Sequence, residues 1–356
     1  MPMTSDLQDR ILGALCLAGM GDALGAPTEQ WSIAEIRAAH GTLLTHFVAP
    51  PEDTFAGALG GRRGEVTDDT SQMVYLARAL VQAGGRLDAE GWVNCLLDWA
   101  TTSPKATFMG PSTAQVVAAL RRGEDLSRVG TIGRSARKMT TVGNTNGAAM
   151  RVAPCGLLHP GDIEAACAQA LVTCLPSHDT DVAIASACAI AAGVARALVS
   201  HEVAPVIAAC IDGAAIGERL GRRHARAIAG PRLSARLEMA LDIADGARDD
   251  DSFMQLLEAR VGNSVLAAES VPAAIGCFAY AQGDPLRTIA LGASMGNDTD
   301  TIAAMAGALC GALVGERGLP GALCGEFMAI NEPEYGLRPL AEALAALAVA
   351  NAQETR

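Results

Sequence analysis

The chain has 356 residues, of which 50% are hydrophobic and only 3% aromatic, and its formal net charge is −12. Nonspecific nucleic-acid binding needs a basic surface against the phosphate backbone, so we expect no nucleic acid as a partner. Alanine and glycine dominate the apolar residues. Such small side chains let helix axes approach closely, which predicts a core of tightly packed helices.

Cysteine usage and hydropathy favour a cytoplasmic protein. The ten cysteines contain no CxxC pair and lie mostly in apolar runs, where a free thiol behaves as a small hydrophobe. The N-terminus lacks the basic segment of a signal peptide. The most apolar stretches, 183–195 and 302–315, are shorter than the ~20 residues that span a bilayer. We therefore expect a soluble protein without a membrane partner, and no pattern selects an oligomeric state.

Apolar residues recur with helical spacing along most of the chain. The predicted helical segments are 7–20, 73–82, 92–99, 114–120, 162–174, 182–199, 203–216, 232–243, 265–281, 286–295, 302–314 and 340–349. Proline and glycine separate these segments, and no alternation of strands and helices is present. This pattern predicts an all-α, multi-helix protein with one domain over 1–356, a core over about 10–330 and a C-terminal helix at about 338–350. The segment 38–64 is predicted to be a long ordered loop, a feature that is usually functional or mobile.

The first predicted helix is followed by a segment that contains one isolated acid. Gly21, Asp22 and Gly25 precede Pro27 and Glu29. Glu29 has two interpretations. It is either a structural acid on the surface or, if metals lie nearby, a group suited to general acid–base catalysis or to positioning water.

A cluster of carboxylates and hydroxyls precedes the second predicted helix: Thr67, Asp68, Asp69 and Thr70. Helix capping alone explains one such cluster, because threonine is a good N-cap and acids favour the positive end of the helix dipole. The same oxygen atoms are also ligands for hard divalent cations.

A glycine-containing segment at 141–154 combines small residues with two amide side chains. Small residues such as Gly147 leave backbone N–H groups exposed, the side chains of Asn144 and Asn146 lie between them, and such a loop can hold a phosphate or a ribose at close range. The segment lacks the Gly-Lys-Ser/Thr ending of a Walker A loop, and no strand precedes it as in a dinucleotide fingerprint. An ordinary turn between helices explains it equally well.

Ser177 and His178 lie in a polar segment, 176–181, before an alanine-rich predicted helix. His178 is a candidate to contact substrate or to act as an acid. The alternative is a histidine at a helix start that is hydrogen-bonded to the backbone.

A second acidic cluster precedes the helical segment 302–314. Asp298, Thr299, Asp300 and Thr301 repeat the composition of the first cluster. If the two helix starts face one another, four aspartates share one site, and cations or protons must relieve their repulsion. Divalent metal is the simpler explanation. Zinc is disfavoured because no histidine or cysteine lies beside either cluster.

Taken together, these segments resemble the ADP-ribosylglycohydrolase family, in family order and over about residues 10–330. The matching positions are Gly21, Asp22, Gly25, Glu29, Thr67, Asp68, Asp69, Thr70, Asn146, Gly147, Met150, Arg151, Pro154, Ser177, His178, Glu269, Ser270, Val271, Pro272, Asn297, Asp298, Thr299, Asp300 and Thr301. The resemblance implies a compact all-α fold with a cleft that holds two Mg²⁺ (or Mn²⁺) ions. The ions would bind the ribose diol of an ADP-ribosyl group beside the scissile C1″ bond.

The resemblance also assigns residues to roles. The implied metal ligands are Thr67, Asp68, Asp69, Asp298, Asp300 and Thr301. The resemblance implies a catalytic role for Glu29, and the chemistry of the bond leaves Glu29, Asp69 or Asp300 to take or supply the proton. The implied substrate-binding residues are Asn144, Asn146, Gly147, Ser177 and His178.

One segment departs from the arginine-specific members, which carry an aspartate before a glycine to engage the guanidinium. The corresponding stretch here, 106–113, contains Phe108, Met109 and Gly110 but no acid. A cationic acceptor needs an anionic partner, so an arginine-linked substrate is disfavoured.

The sequence therefore predicts an Mg²⁺-dependent glycosidic hydrolase that acts on an ADP-ribosyl conjugate, either small or protein-linked. A ribonucleoside hydrolase that grips the diol in the same way is one alternative. A non-catalytic ADP-ribose-binding protein is another.

Overall fold

The computed structural model describes residues 4–354, whose regular secondary structure is helical. The α-helices are α1 (Thr4–Gly25), α2 (Ile33–His40), α3 (Phe55–Ala58), α4 (Asp68–Gln82), α5 (Ala89–Thr102), α6 (Pro111–Arg121), α7 (Gly147–Met150), α8 (Ala153–Leu157), α9 (Ile163–Cys174), α10 (Asp181–Ala197), α11 (Val203–His224), α12 (Leu233–Gly246), α13 (Asp250–Arg260), α14 (Ala267–Ala281), α15 (Pro285–Ser294), α16 (Thr299–Val314), α17 (Gly321–Tyr335) and α18 (Leu337–Glu354). Short 3₁₀ helices occupy Ala26–Thr28, Pro104–Phe108, Leu126–Arg128 and Glu316–Gly318. In place of strands, the described residues contain isolated β-bridges. The predicted all-α fold is confirmed.

Each predicted helical segment overlaps one of these helices, and the predicted C-terminal helix is α18. The sequence pattern missed α2, α3, α7, α8, α13 and α17. The predicted loop 38–64 is irregular except for the last turn of α2 and the single turn of α3. One cluster of buried hydrophobic residues extends from Leu7 to Ala348. The single domain over 1–356 agrees with this cluster and stays a prediction.

Helices α1 and α16 pack against each other in antiparallel orientation with almost no space between their backbones. A Cβ added to Gly13 would lie 2.5 Å from the carbonyl oxygen of Gly311, and one added to Gly21 would overlap the carbonyl group of Ala303. Between them, a Cβ added to Gly307 would overlap the carbonyl oxygen of Leu17, so the contacts recur every four residues, the spacing at which one side of a helix repeats. The end of α1 is thereby brought to the start of α16.

Helix α1 also belongs to a stretch, Ser5–Thr28, that is long and apolar enough to cross a membrane. The most apolar window of that stretch is 100% buried within the protein. Its hydrophobic side chains therefore serve the core, where they face α16 and its neighbours.

Two backbone hydrogen bonds join the segments that follow α1 and precede α16. The amide of Gln30 donates to the carbonyl oxygen of Asn297 at 2.7 Å, and the amide of Asn297 donates to that of Trp31 at 2.8 Å. Gln30 and Asn297 both have positive φ angles, 69° and 59°, a conformation that costs energy for residues other than glycine. This pairing sets Glu29 opposite Asp298.

Candidate active site

The two acidic helix starts meet at one cavity. Asp68 and Asp69 at the start of α4 line its wall together with Asp298 and Asp300 at the start of α16, and Glu29 joins them from the end of α1. The cavity contains about 530 Å³ of empty space, which includes its open mouth. Chain segments that lie more than two hundred residues apart in sequence therefore contribute to one site.

Three of these carboxylates are close enough to share a cation. Glu29, Asp298 and Asp300 each offer an oxygen atom, and these three atoms lie within 4.8 Å of one another. The sequence predicted a catalytic role for Glu29 and metal ligation for the two aspartates. The geometry puts Glu29 among the potential ligands as well.

Burial raises the pKa of every carboxylate in this group. Desolvation and the charge of Asp298 raise the pKa of Glu29 to about 7. Desolvation raises the pKa of Asp298 to about 6, against hydrogen bonds from Asn146 and Thr301 that lower it. For Asp68, Asp69 and Asp300 the pKa lies well above the ordinary value, first because of desolvation and then because neighbouring carboxylates repel one another. A bound cation would reverse these shifts, since positive charge favours the ionised form.

One further atom fits a cation. Oδ1 of Asp69 is buried and has no hydrogen-bond partner among the described residues. A buried carboxylate oxygen without a partner is costly, and hard divalent cations take such oxygen ligands. The acids at this cavity therefore suit Mg²⁺ or a similar ion.

Asp22 is a structural element of the site to which the sequence assigned no role of its own. Its carboxylate is fully buried and accepts hydrogen bonds from the backbone N–H and the hydroxyl of both Thr67 and Thr70, at distances of 2.6–3.0 Å. Desolvation raises the pKa of Asp22, and these hydrogen bonds lower it. Asp22 thus fastens the first turn of α4 to α1. The sequence signal was an acid within the otherwise apolar residues 11–25.

The two threonines predicted as metal ligands differ in their surroundings. The hydroxyl of Thr67 donates to Asp22 at 2.8 Å, and Thr67 is not among the residues that line the cavity. Thr301 does line the cavity. The hydroxyl of Thr67 therefore helps Asp22 to hold the start of α4, whereas the hydroxyl of Thr301 lies among the carboxylates of the site.

The glycine-containing segment forms the part of the wall beside Asp298. The side-chain amide of Asn146 donates to Asp298 and, at 2.8 Å, to Ser270. Gly147 lines the cavity, and a Cβ there would lie 2.9 Å from Nε2 of His178. Asn144 is not on the wall; its side-chain oxygen is buried without a partner.

His178 lines the cavity and is fully buried, whereas Ser177 lies behind it. The Ser177 hydroxyl is 2.8 Å from Nδ1 of His178. Desolvation, followed by the charge of Arg151, lowers the pKa of His178 to about 3. The imidazole is therefore neutral at physiological pH. This state suits contact with substrate and does not suit the acid role that the sequence left open.

A sequence model of the ADP-ribosylglycohydrolase family matches residues 3–354. The chain belongs to this family. It is therefore a glycosidic-bond hydrolase of a family that acts on ADP-ribosyl compounds. Metal dependence in this family agrees with the acidic group of Glu29, Asp298 and Asp300.

Individual relatives support the assignment. The chain is 34% identical over 330 residues to the uncharacterized protein YegU of Escherichia coli, covering 92% of this chain and 94% of that protein. It is 44% identical over 70 residues to human ADP-ribosylhydrolase ARH3, covering 17% and 19%. A solved structure titled ADP-ribosylglycohydrolase-related protein complex has the same fold, with a TM-score of 0.66, 22% identity and coverage of 97% and 99%.

One wall of the cavity is apolar. Phe55 and Phe108 line the cavity with an edge-to-face contact at 6.1 Å, and Gly110 and Pro111 continue the wall. Among the described lining residues, every acid belongs to the group around the proposed cation. The segment 106–113, in which the sequence showed no acid, supplies much of this wall.

Proposed function

We propose that the protein is an Mg²⁺-dependent hydrolase that cleaves the bond at ribose C1″ of an ADP-ribosyl conjugate. The convergence of Glu29, Asp298 and Asp300 within 4.8 Å carries this proposal. Asp68, Asp69 and Thr301 on the same wall offer further oxygens for a second ion. Mn²⁺ has the same preference for oxygen ligands and is expected to substitute for Mg²⁺.

When bound, the ions supply a grip on the ribose diol and lower the pKa of a coordinated water. The residues of the chain position the metal ligands and form the cavity wall. Asn146 holds Asp298 in place, and the neutral His178 is hydrogen-bonded to Thr145 on the cavity wall. Asp22 fixes the start of α4, so that Asp68 and Asp69 keep their positions.

Glu29 is our candidate for proton transfer in this reaction. It is the least buried carboxylate of the group, because Asp68, Asp69, Asp298 and Asp300 are all at most 8% exposed. A group that handles the proton of an attacking water must exchange that proton with solvent between turnovers. Asp69 and Asp300 then serve the ions rather than the proton.

The test compares Asp300→Asn with Glu29→Gln. We expect Asp300→Asn to lose both hydrolysis and Mg²⁺ binding measured by calorimetry, while circular dichroism shows an intact fold. Glu29→Gln is expected to lose turnover and to weaken Mg²⁺ binding less than Asp300→Asn does. Asp245→Asn, an exposed change on α12, is the matched control. Full hydrolysis by Asp300→Asn would overturn the proposal, and loss of Mg²⁺ binding in Glu29→Gln would make Glu29 a ligand instead.

A ribonucleoside hydrolase is the second candidate, and the aromatic wall favours it. Phe55 is exposed, and its ring, held edge-to-face against the buried Phe108, is suited to contact a nucleobase leaving group. A substrate panel separates the two functions: ADP-ribosyl-arginine, O-acetyl-ADP-ribose, an ADP-ribosyl-serine peptide and common ribonucleosides. Turnover of ribonucleosides alone would select the second candidate.

A further inference from the structure

Arg151 is the most unusual buried group near the cavity. Its side chain is completely buried, and no carboxylate among the described residues lies within ion-pair distance of it. Desolvation lowers its pKa to about 10, so it stays charged at neutral pH. A buried cation is costly without compensation. The charge is compensated by the ring of Trp92, 4.7 Å away, and by neutral hydrogen-bond acceptors.

The first acceptor is the amide of Gln72 on α4. Nη1 of Arg151 donates to Oε1 of Gln72 at 2.9 Å, and Nε2 of Gln72 donates to Asp68 at 2.9 Å. A glutamine amide can be turned either way in a site of mixed partners. Because a guanidinium only donates, Arg151 holds the oxygen of Gln72 toward itself and the NH₂ group toward Asp68.

The second acceptor is the hydroxyl of Ser177. Nη2 of Arg151 donates to it at 3.0 Å, and the same hydroxyl lies 2.8 Å from Nδ1 of His178. Since Ser177 already accepts from Arg151, its own proton is available for Nδ1. The proton of the neutral imidazole is then on Nε2.

This series of hydrogen bonds continues, in the same direction, onto the cavity wall. Nε2 of His178 is 3.0 Å from the hydroxyl of Thr145, and that hydroxyl donates to Ser112 at 3.1 Å. The three residues line the cavity. Ser112 therefore accepts from Thr145 and keeps its own proton for a ligand. This end of the wall presents a hydrogen-bond donor to an oxygen-rich group such as a phosphate or a ribose hydroxyl.

We propose that Arg151 is a positioning residue that sets the hydrogen-bond direction on both walls of the cavity. Through Gln72 it presents a donor to Asp68, and through Ser177 it fixes His178 as the donor to Thr145, which leaves the proton of Ser112 for the substrate. Charge alone does not explain a guanidinium here, because the two bonds require its planar fork. The substrate side of this inference rests on the proposed function; the tautomer of His178 does not.

Nitrogen NMR of the full chain with labelled histidine tests the tautomer without metal or substrate. His178→Gln identifies the signals. We expect Nε2 of His178 to be protonated and Nδ1 to be unprotonated, with no titration between about pH 5.5 and 8. A protonated Nδ1 in the wild-type protein would overturn the proposal.

Variants then test the role of Arg151. Arg151→Met removes the donors at similar volume, so the Ser177 hydroxyl becomes free to accept and the His178 signals should show a mixture of tautomers. If that variant does not fold, Arg151→Lys keeps the charge and loses the fork, and the same mixture is expected. Ser177→Ala should shift the Nδ1 signal, whereas Ser186→Ala, which removes another buried hydroxyl, should leave it unchanged. Unaltered His178 signals in a folded Arg151 variant would contradict the proposal.

The hydrogen bonds from Arg151 through Gln72 to Asp68 are tested by a separate measurement. Gln72→Met removes the donor to Asp68 and is expected to weaken Mg²⁺ binding by about 10-fold or more, as for other groups that orient metal ligands. Unchanged Mg²⁺ affinity would contradict this part of the proposal. The expected tautomer without hydrolysis of any ribosyl compound would refute the proposed function and leave the positioning role intact.

Discussion

Gly25 lies directly against the backbone of Asp300: a Cβ at Gly25 would be 2.5 Å from the Asp300 nitrogen. Gly25 has ordinary helical backbone angles, with φ −80° and ψ −34°. Glycine is needed at this position for space and not for an unusual conformation. The contact fixes the distance between the end of α1, which Glu29 follows after one 3₁₀ turn, and the start of α16.

Gly25→Ala is therefore expected to destabilise the fold and to disturb the site together. Forcing a methyl group between two packed backbones costs roughly 1–3 kcal/mol or more. Urea unfolding and Mg²⁺ calorimetry measure the two effects. Gly325→Ala is the control, because Gly325 is an exposed helical residue with nothing within 4 Å of its Cβ position. That change should stabilise by about 0.5–1 kcal/mol. Equal behaviour of both variants would show that the contact between α1 and α16 does not limit the site.

Asp22→Asn should loosen α4. The carboxylate accepts from four donors on Thr67 and Thr70, and an amide would set its own NH₂ group against some of them. Hydrogen bonds to a buried charged group contribute about 1.5–3 kcal/mol each, so we expect a loss of at least about 2 kcal/mol in the free energy of unfolding. Mg²⁺ affinity should fall as well, because Asp68 and Asp69 lie in the first turn of α4, which Asp22 holds in place. Asp245→Asn should change neither quantity. If Asp22→Asn also changed neither the free energy of unfolding nor the Mg²⁺ affinity, Asp22 would not be what holds the start of α4.

The metal-free protein should lose stability as pH rises toward neutrality. The pKa of Glu29 is raised from 4.5 to about 7 by desolvation and by Asp298. The folded state therefore holds a proton that the unfolded chain has already released. The contribution of this proton to the free energy of unfolding is complete below about pH 4.5 and disappears as pH rises through about 7. His178 acts in the opposite sense, because its pKa is lowered from 6.5 to about 3 by desolvation, so its contribution is lost as pH falls below about 6.5.

Glu29→Gln separates these two contributions. In chelator, the difference in unfolding free energy between Glu29→Gln and the wild-type protein should shift in favour of the variant between about pH 4.5 and 7.5. Saturating Mg²⁺ should reduce that difference, because the ion stabilises the ionised carboxylates. Urea titrations at several pH values provide the measurement. A difference that stays constant over this range would contradict the assignment.

Gly110→Asp should improve the hydrolysis of conjugates with a cationic acceptor. Gly110 lines the apolar wall and is the N-cap of α6, with no atom within 4 Å of its Cβ position. Aspartate is a favourable N-cap, so stability should be kept or increased. The relative kcat/KM for ADP-ribosyl-arginine against an uncharged conjugate is the measurement. Gly110→Asn is the neutral control of the same shape. A similar gain in both variants would show that charge is not the cause.

The all-α fold could be predicted because small apolar residues repeat with helical spacing through most segments. The helices that escaped prediction lack that signal. Helix α13 has a capping box at Asp249 and Ser252 but few buried side chains, and α17 continues through Pro333. Helices α7 and α8 have only four and five residues, so their formation depends on tertiary contacts rather than on propensity.

The meeting of the two acidic clusters was predictable from their shared composition, whereas the inner arrangement of the site was not. Asp22 contacts Thr67 only after α1 and α4 have packed, and Glu29 joins Asp298 only through the pairing of Gln30 with Asn297. Such contacts depend on helix orientation, which local periodicity does not encode. Asn144 and Ser177 were chosen by position in a motif, and both lie off the cavity wall.

The antiparallel packing of α1 on α16 has a consequence for biosynthesis. Helix α1 is synthesised first, but its glycines pack only against α16. Glu29 therefore has neither Asp298 nor Asp300 beside it until most of the polypeptide has been made. A nascent chain halted before α16 should therefore ignore Mg²⁺. Binding of Mg²⁺ would then indicate that α16 has been synthesised and has packed against α1.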